Sequence, residues 1–481
     1  MCNSLQKKTF RSMVWSLLGN LSIHLIGFVV GIQLARILSP DDYGMVGMLG
    51  IFTAIAGCVI ECGMSNALVR KSNRTEADCS TVFYFSVATA LLMYIALFIA
   101  APHIASFYNQ PELCNLTRVL SLTLIIGALA GVHNTKLTIN LQFKRISAIS
   151  ITTAIIGGIV GLSFAYSGWG VWSLAYMQLA TYIARVILTW IIVRWVPQRI
   201  FSWQSFRELF GFGSKLLAAA IIDQTYNNIR PLLIGKVYSG ADLGYYAKAN
   251  QYASLPATTT TNLIAGVTYP ILCKLQQNDD ILRDKYRLLI RLSAFVVFPL
   301  LVGLASVAKP AIVVLITEKW LPCASLLQIL CFALMLNPIH VLNLNLLQVK
   351  GRADIFLKLE IIKKILGVIM LIITVPISVP YMCYGAVLIS FISLFLQTYY
   401  TSKLIKVTFF KQMGDLLPSL LLSIIMGIIV WGVITFLPLS HIFQLAIGIP
   451  IGIVVYLGLA LLLRMPELRT ALQIIRNNLK K

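Results

Sequence analysis

The sequence predicts an all-α protein that crosses a membrane many times. Of its 481 residues, 58% are hydrophobic and 12% are charged, which is about half the charged fraction of a soluble domain. The mean hydropathy is +0.84, and apolar runs of about 20 residues, the length that crosses a bilayer as a helix, recur from end to end. No stretch between these runs is long enough for a sizeable soluble domain.

The apolar runs predict about fourteen transmembrane helices, the first near residues 13–35 and the last near 442–463. Counted from a cytoplasmic N-terminus, every second gap is rich in Lys and Arg, whereas gaps such as SPDD (39–42) and SGWG (167–170) are poor in them. Because basic residues collect in cytoplasmic loops, this alternation predicts that both termini are cytoplasmic. It also accounts for the formal net charge of +22 without a nucleic-acid partner.

Two segments are amphipathic rather than uniformly apolar: FSWQSFRELF (201–210) and the tail that follows Pro466. Both patterns predict helices on the cytoplasmic surface, with basic residues toward anionic lipid. The nine cysteines form no CxxC pair and no Cys/His cluster at metal spacing, so we expect no metal and no cofactor. Cys114 and Cys323 fall in predicted outside loops, and the sequence leaves open whether they pair.

An internal repeat relates two parts of the chain about 200 residues apart. LARILSPDDYG (34–44) aligns without a gap with IGKVYSGADLG (234–244), so that a cation, a serine, an aspartate and a glycine coincide. A later match pairs LQFKR (141–145) with LQVKGR (347–352). Six predicted spans separate the copies, so both have the same orientation in the membrane, and a substrate site is expected between the two halves.

The repeat predicts two parallel six-helix lobes around a central cavity. The N-terminal lobe is 1–206, the C-terminal lobe is 207–407, and 408–481 adds two transmembrane helices and a cytoplasmic amphipathic tail. Asp42 and Asp242 each stand two residues before a glycine, where a tight turn restarts a helix, and we expect both aspartates to cap those helices.

The predicted seventh span, 212–235, is unusually polar. Asp223, Asn227 and Arg230 lie at i, i+4 and i+7 and therefore share one helix face. A charge at the bilayer centre costs roughly 2.5–3.5 kcal/mol on insertion scales, so charged residues there normally face a bundle interior or a wet cavity. The pattern predicts that this face lines a polar cavity.

Other spans supply further cavity candidates. In the first span, Asn20 and His24 continue an i+4 polar stripe, although a lone histidine in an apolar helix is often a hydrogen-bonded packing residue. The eighth span contributes Lys248 and Gln251. The charged candidates are mostly cations: Arg36, Lys215, Arg230, Lys236 and Lys248, against the carboxylates Asp223 and Glu61. An excess of positive charge in a low-dielectric cavity attracts an anion, and pyrophosphate is a natural match.

Two charged residues have a simpler explanation. Glu61 in the second span and Arg185 in the sixth span each lie two to three turns from a predicted cytoplasmic loop. A long side chain in that position can reach the membrane surface, so neither residue needs a cavity. Asp223 and Glu61 are nevertheless the available carboxylates if transport is coupled to H⁺ or Na⁺.

Three segments carry a family resemblance: LARILSPDDYG (34–44), FGFGSK (210–215) and YNNIRPLLIGKVYSGADLGYYAKA (226–249). Together with the length, the span count and the repeat, they resemble the bacterial polysaccharide transporter family of the multidrug, oligosaccharidyl-lipid and polysaccharide exporter superfamily. The resemblance covers essentially the whole chain. It implies a flippase, not an enzyme, that moves undecaprenyl-pyrophosphate-linked sugar repeat units across the bacterial inner membrane by alternating access.

The resemblance also implies where substrate binds. Spans 1, 2, 7 and 8 of such transporters border a cationic central cavity, and the matching positions here are Asn20, His24, Arg36, Asp223, Asn227, Arg230, Lys236 and Lys248. The lipid tail is expected outside, in a groove built with the last two spans. A glycan polymerase and a chain-length regulator are expected partners, beside membrane lipids and the lipid-linked oligosaccharide.

Four other functions remain as alternative hypotheses. A multidrug exporter of the same superfamily should carry acidic residues in its cavity, whereas this chain has more cations. A major-facilitator sugar carrier should have twelve spans. A membrane glycan polymerase or ligase should have a large periplasmic loop, and the longest predicted outside gap is about 101–117. A lipid-scrambling or structural role does not explain costly charges within spans.

Overall fold

The computed structural model describes residues 2–436, 439–470 and 473. These residues form helices joined by short turns, with no strand among them. The helices are α1 (Cys2–Ile37), α2 (Pro40–Glu61), α3 (Met64–Arg70), α4 (Glu76–Tyr108), α5 (Glu112–Ile139), α6 (Phe143–Tyr166), α7 (Val171–Val193), α8 (Trp203–Val237), α9 (Gly240–Lys274), α10 (Asp279–Ser306), α11 (Ala308–Ile316), α12 (Leu321–Leu334), α13 (Asn337–Val349), α14 (Ala353–Thr374), α15 (Val379–Ile405), α16 (Phe409–Phe436) and α17 (His441–Leu462). A 3₁₀ turn (Glu318–Trp320) precedes α12.

The helices confirm the prediction of an all-α membrane protein. Within the described residues, eleven helical stretches are long and apolar enough to cross a bilayer. The predicted spans missing from that set correspond to α8, α9 and α14, which are long helices with too many polar residues to qualify. The count of fourteen therefore stays a prediction, and the helices that fall short include the two that carry most of the candidate site.

The chain divides into two compact units, Met1–Gly244 and Tyr245–Lys481. In the first unit, α1 packs on α6, α6 on α7, α4 on α5, and α2 on α8. In the second unit, α10 packs on α16, α15 on α12 and α14, and α17 on α16. The sequence assigns α8 to the second lobe, whereas its contacts place it in the first unit; the lobes 1–206 and 207–407 and the addition 408–481 stay predictions.

The repeated segments form the same local structure. Before α2, Ser39 Oγ donates to Asp42 Oδ2 at 2.7 Å, and the Asp42 amide donates back to Ser39 Oγ at 3.2 Å. At the start of α9, Ser239 and Asp242 make the same two hydrogen bonds at 2.7 and 3.0 Å. Each pair satisfies amides at a helix start that would otherwise lack partners. The capping role predicted for both aspartates is confirmed.

Two local expectations were wrong. The amphipathic segment 201–210 is not a separate surface helix, because all but its first two residues form the opening turns of the 35-residue helix α8. Cys114 and Cys323 lie in the first turns of α5 and α12 rather than in loops, and both are free thiols. Most of the predicted amphipathic tail lies outside the described residues; in its described start, Glu467 pairs with Arg291 of α10 at 3.4 Å.

Candidate substrate-binding site

Helix α8 has one packed face and one exposed polar face. On the packed face, a side chain added at Gly235 would begin 2.9 Å from Met48 of α2, and Asn228 is held by a 2.8 Å bond from its Nδ2 to the Gln224 carbonyl. On the other face, Asp223 and Asn227 are exposed near the middle of the predicted span. Because an ionised group is costly against lipid, this face needs water or a polar ligand.

Five further candidates of the first unit lie on two helices, two along α8 and three on α1. Lys215 is exposed two residues after Gly213, near the start of the span, and Arg230 is half-buried. Arg36 is exposed in the last turn of α1. Asn20 and His24 are exposed further back along α1, where their polar stripe faces open space. Gly27, three residues beyond His24, has open space around its ideal Cβ position.

Lys236 has a defined partner that the sequence did not indicate. Its Nζ donates a hydrogen bond to the Phe107 carbonyl oxygen and lies 4.5 Å from the centre of the Phe107 ring. Both groups belong to the end of α4. A cation held by a carbonyl and an aromatic face keeps its charge but loses much of its conformational freedom. Lys236 therefore adds positive electrostatic potential to the site rather than a side chain that moves to contact the substrate.

Two candidates belong to the second unit. Lys248 is buried, with 3% of its surface exposed, and its Nζ donates to Gln251 Oε1 at 3.3 Å. Gln251 itself is exposed. A buried ammonium is stable only with partners, and the exposed amide of Gln251 is the group through which Lys248 reaches the surface of its unit.

Glu61 and Arg185 lie in a cavity of about 460 Å³ inside the first unit. The polar residues that share its wall come from α3, α4, α5 and α7: Ser65, Asn66, Ser86, Thr123, Asn134, Thr135, Thr138 and Tyr182. No ion pair joins the Glu61 carboxylate to the Arg185 guanidinium among the described residues. The sequence indicated only that each side chain could reach the membrane surface. It did not indicate the shared cavity, because α2 and α7 are far apart in the sequence.

An apolar groove of about 500 Å³ lies between α10, α16 and α17 in the second unit. Its wall includes Pro299, Gly303, Met426, Gly452 and Ile453, with little polar surface. The groove lies where the family resemblance places a lipid tail, next to the last two spans. A similar apolar groove of about 490 Å³ lies on the other side of the α10–α16 contact, against α12 and α15.

A buried polar network in the second unit was not predicted. Tyr286 of α10 and Thr401 of α15 both donate to Asn343 Oδ1 of α13, and His340 bonds Gln397 and Ser390 at 2.9 and 3.1 Å. Ser390, Gln397 and Thr401 recur at i, i+7 and i+11 on α15, a helical spacing that could have revealed the network. It joins three helices inside the unit and does not contain any candidate substrate residue.

The chain resembles known proteins of polysaccharide biosynthesis. A family model described as "Polysaccharide biosynthesis protein" matches residues 33–325. The teichuronic acid biosynthesis protein TuaB of Bacillus subtilis is 27% identical over 360 residues, which are 73% of each chain. The lipopolysaccharide biosynthesis protein WzxC of Escherichia coli is 24% identical over 373 residues, covering 76% of this chain and 74% of WzxC.

The fold also matches a solved transporter. The structure of the lipid II flippase MurJ in its inward closed conformation superposes with a TM-score of 0.75 at 15% sequence identity, covering 94% of this chain and 99% of MurJ. At that identity the match shows the fold alone. It agrees with the all-α membrane architecture seen here.

Proposed function

The chain belongs to the polysaccharide biosynthesis protein family, and we propose that it is a flippase for undecaprenyl-pyrophosphate-linked oligosaccharide repeat units. The substrate class is that of an O-antigen, capsule or exopolysaccharide precursor, and the membrane is the bacterial inner membrane with both termini in the cytoplasm. Two observations support this assignment: TuaB and WzxC are named as polysaccharide biosynthesis proteins, and the fold is similar to that of MurJ. No bond is made or broken, so the protein is a transporter and not an enzyme.

The exposed polar face of α8 is the observation that carries the proposal. Asp223 and Asn227 are exposed at the middle of a helix whose opposite face packs on α2, with the cations Lys215 and Arg230 on either side along the helix. Asn227 supplies a donor and an acceptor for sugar hydroxyls, while the cations balance the pyrophosphate. Arg36 and Lys236 of the same unit add to the positive field that draws the anion in.

Reconstituted vesicles test this function directly. The probe is a fluorescent undecaprenyl-pyrophosphate oligosaccharide in both leaflets, with a membrane-impermeant quencher added outside. Wild-type protein should make the inner-leaflet fluorescence accessible, and Arg230→Ala and Lys215→Ala should slow that exchange. Arg199→Ala, an exposed cation of the loop before α8, is the matched control. Equal exchange by both site variants and the wild type would overturn the assignment of the site; no exchange by the wild type would overturn the function.

The groove between α10, α16 and α17 is the proposed path of the polyprenyl tail. An apolar chain in an apolar groove keeps its contacts while the polar head crosses the membrane. A photoreactive polyprenyl pyrophosphate should therefore label α16 and α17, and excess unlabelled substrate should reduce the labelling. Labelling confined to other helices would contradict this path.

Coupling to H⁺ or Na⁺ is the proposed energy source, with Glu61 and Asp223 as the carboxylates. Glu61 shares its cavity with hydroxyl and amide oxygens, the ligands that hard cations prefer, and with Arg185, which competes for the carboxylate. Imposed H⁺ or Na⁺ gradients should change the rate of exchange by the wild type, and Glu61→Gln should remove that dependence. Exchange that ignores both gradients would exclude coupling. A glycan polymerase and a chain-length regulator remain proposed partners.

A further inference from the structure

A small basic cleft opens in the first unit where α5 and α7 end and α6 begins. Its volume is about 240 Å³, and its wall consists of Lys136, Leu137, Asn140, Gln142, Arg145, Ile192, Val193, Arg194 and Trp195. Three of these nine residues are cations and none is acidic. The cleft belongs to the two loops, near 140–143 and 193–203, that the charge alternation predicts to be cytoplasmic.

Two of the cations have no carboxylate partner among the residues that the structure describes. The guanidinium groups of Arg145 and Arg194 are exposed, and neither forms an ion pair within the described part of the chain. Arg145 Nη1 donates to Gln142 Oε1 at 2.8 Å, which holds it at the cleft wall. A guanidinium has five donors in a planar fork that matches the oxygens of a phosphate, so most of the hydrogen-bonding capacity of these two groups remains available.

The third cation forms a fixed wall. Lys136 Nζ lies 2.9 and 3.0 Å from the two Glu76 carboxylate oxygens and 4.4 Å from the centre of the Trp195 ring. Trp195 Nε1 donates to the same carboxylate at 2.6 Å. Because Glu76 balances Lys136, the net charge that the cleft offers to a ligand comes from Arg145 and Arg194.

An apolar stripe leads from the membrane toward the cleft. Ile183, Ile187 and Ile191 of α7 lie at i, i+4 and i+8, with 45, 53 and 60% of their surfaces exposed. The next turn ends in Ile192 and Arg194, which line the cleft. A molecule with a phosphate head and a hydrocarbon chain can therefore place its head at the two arginines and its chain along α7.

We propose that this cleft binds the headgroup of an anionic phospholipid from the cytoplasmic leaflet, with one acyl chain along the Ile183, Ile187 and Ile191 stripe. The cleft is too small for an oligosaccharide but fits a glycerol phosphate. The cytoplasmic leaflet is rich in anionic lipid, which attracts Lys and Arg side chains near its surface. This site is separate from the polar face of α8 and does not depend on the proposed transport function.

Lipid retention by the purified full-length protein tests the proposal. In native mass spectrometry, wild-type protein exchanged into equal amounts of phosphatidylglycerol and phosphatidylcholine should retain phosphatidylglycerol about tenfold more. Arg145→Gln/Arg194→Gln should abolish that preference. Arg199→Gln/Arg207→Gln removes two exposed cations outside the cleft, one in the loop before α8 and one in the opening turns of α8, and should keep the preference. Arg145→Lys/Arg194→Lys should keep part of it because both charges remain.

Several results would overturn the proposal. Absence of a phosphatidylglycerol preference in the wild type does so without any variant, and an equal loss in both glutamine variants would show only general charge attraction. Arg194 also lies at the C-terminal end of α7, where a cation is favourable by itself. A lower thermal midpoint of the Arg145→Gln/Arg194→Gln protein with unchanged lipid retention would assign that purely structural role. Displacement of the lipid by free glycerol 3-phosphate at equal concentration would show a soluble-anion site instead.

Discussion

Gly44 of α2 lies so close to Gly240 of α9 that a side chain at position 44 would overlap the Gly240 carbonyl oxygen. The reciprocal contact is also present, because a side chain at Gly244 would overlap the carbonyl oxygen of Pro40. Exchanging the two copies of the repeat turns one contact into the other, because adding 200 to 44 gives 244 and subtracting 200 from 240 gives 40. Such mutual exchange is the property of a contact about a two-fold axis, here between the two copies of the repeated turn.

Replacement of Gly44 or Gly244 by alanine should therefore destabilise the protein. Forcing a methyl group into either backbone contact should cost about 1–3 kcal/mol of the free energy of unfolding. The measurement is the thermal unfolding midpoint of purified protein in detergent. Gly27→Ala is the matched control, since its ideal Cβ position has no neighbour within 4 Å and alanine favours a helix over glycine; a midpoint for Gly44→Ala at or above that of Gly27→Ala would contradict the contact.

The repeated turns show what the sequence could predict. An aspartate two residues before a glycine predicted both capped helix starts. The serine three positions before each aspartate completes the cap in the structure. The contact between the two copies was not predictable, since it depends on the absence of a side chain at Gly44 and Gly244 and on the path of α8, which the repeat assigned to the other lobe.

The candidate site was predictable only in part. The helical spacing of Asp223 and Asn227 predicted a shared polar face, and the structure exposes both residues. The contact of Lys236 with Phe107 was not predictable, because a long side chain turns toward whatever carbonyl or ring lies nearby. The cavity shared by Glu61 and Arg185 depends on how α2 and α7 pack, which no local pattern encodes.

Breaking the pair of Arg287 and Asp415 should weaken the contact between α10 and α16 and lower the stability of the protein. Arg287 Nε and Nη2 donate to the two Asp415 oxygens at 2.7 and 2.8 Å, joining α10 to α16, and the Asp415 side chain is only 5% exposed. Arg287→Ala leaves a buried carboxylate without its partner and should cost about 3 kcal/mol of unfolding free energy.

A double variant and an exposed pair provide the controls for this prediction. Arg287→Met/Asp415→Leu should recover most of the loss, because no charge is then buried alone. Arg352→Ala removes an exposed pair with Asp354 and should leave the unfolding midpoint unchanged. An equal midpoint for Arg287→Ala and Arg352→Ala would show that the pair at Asp415 stabilises nothing.

The ion pairs of Lys71 should make the free energy of unfolding decrease at alkaline pH. Its Nζ lies 2.9 Å from Glu208 of α8 and 3.1 Å from Asp78 of α4, and the hydrogen bond with Glu208 is the main cause that raises the pKa of Lys71 above 10.5. A raised pKa means that the stabilisation is complete below 10.5 and is lost as the pH rises through the pKa of the folded protein.

Lys71→Met should therefore unfold at a lower temperature than the wild type at pH 8, and the difference should vanish once the pH exceeds the folded pKa of Lys71. The measurement is the thermal midpoint across alkaline buffers. The control is Lys285→Met, which removes an exposed lysine with no ion pair among the described residues. Its thermal midpoint should be close to that of the wild type at every pH. A constant gap between Lys71→Met and the wild type would show that the ion pair is not its cause.

Removing the hydroxyl of Tyr286 should cost less free energy of unfolding than removing the Asn343 amide that accepts its hydrogen bond. Tyr286→Phe removes one donor to Asn343 Oδ1 but leaves Thr401, which donates at 3.2 Å, so the expected loss is about 1 kcal/mol. Asn343→Ala leaves the Tyr286 hydroxyl without its acceptor, whereas Thr401 keeps the Thr398 carbonyl. It also opens a cavity among buried residues, so its loss should reach roughly 2–4 kcal/mol. The combined variant should lose less unfolding free energy than the sum of the two single losses, because the two residues share one hydrogen bond.

Tyr381→Phe, on the exposed part of α15, is the control with no expected change in stability. Additive losses in the double variant would show that the buried network does not act as a unit.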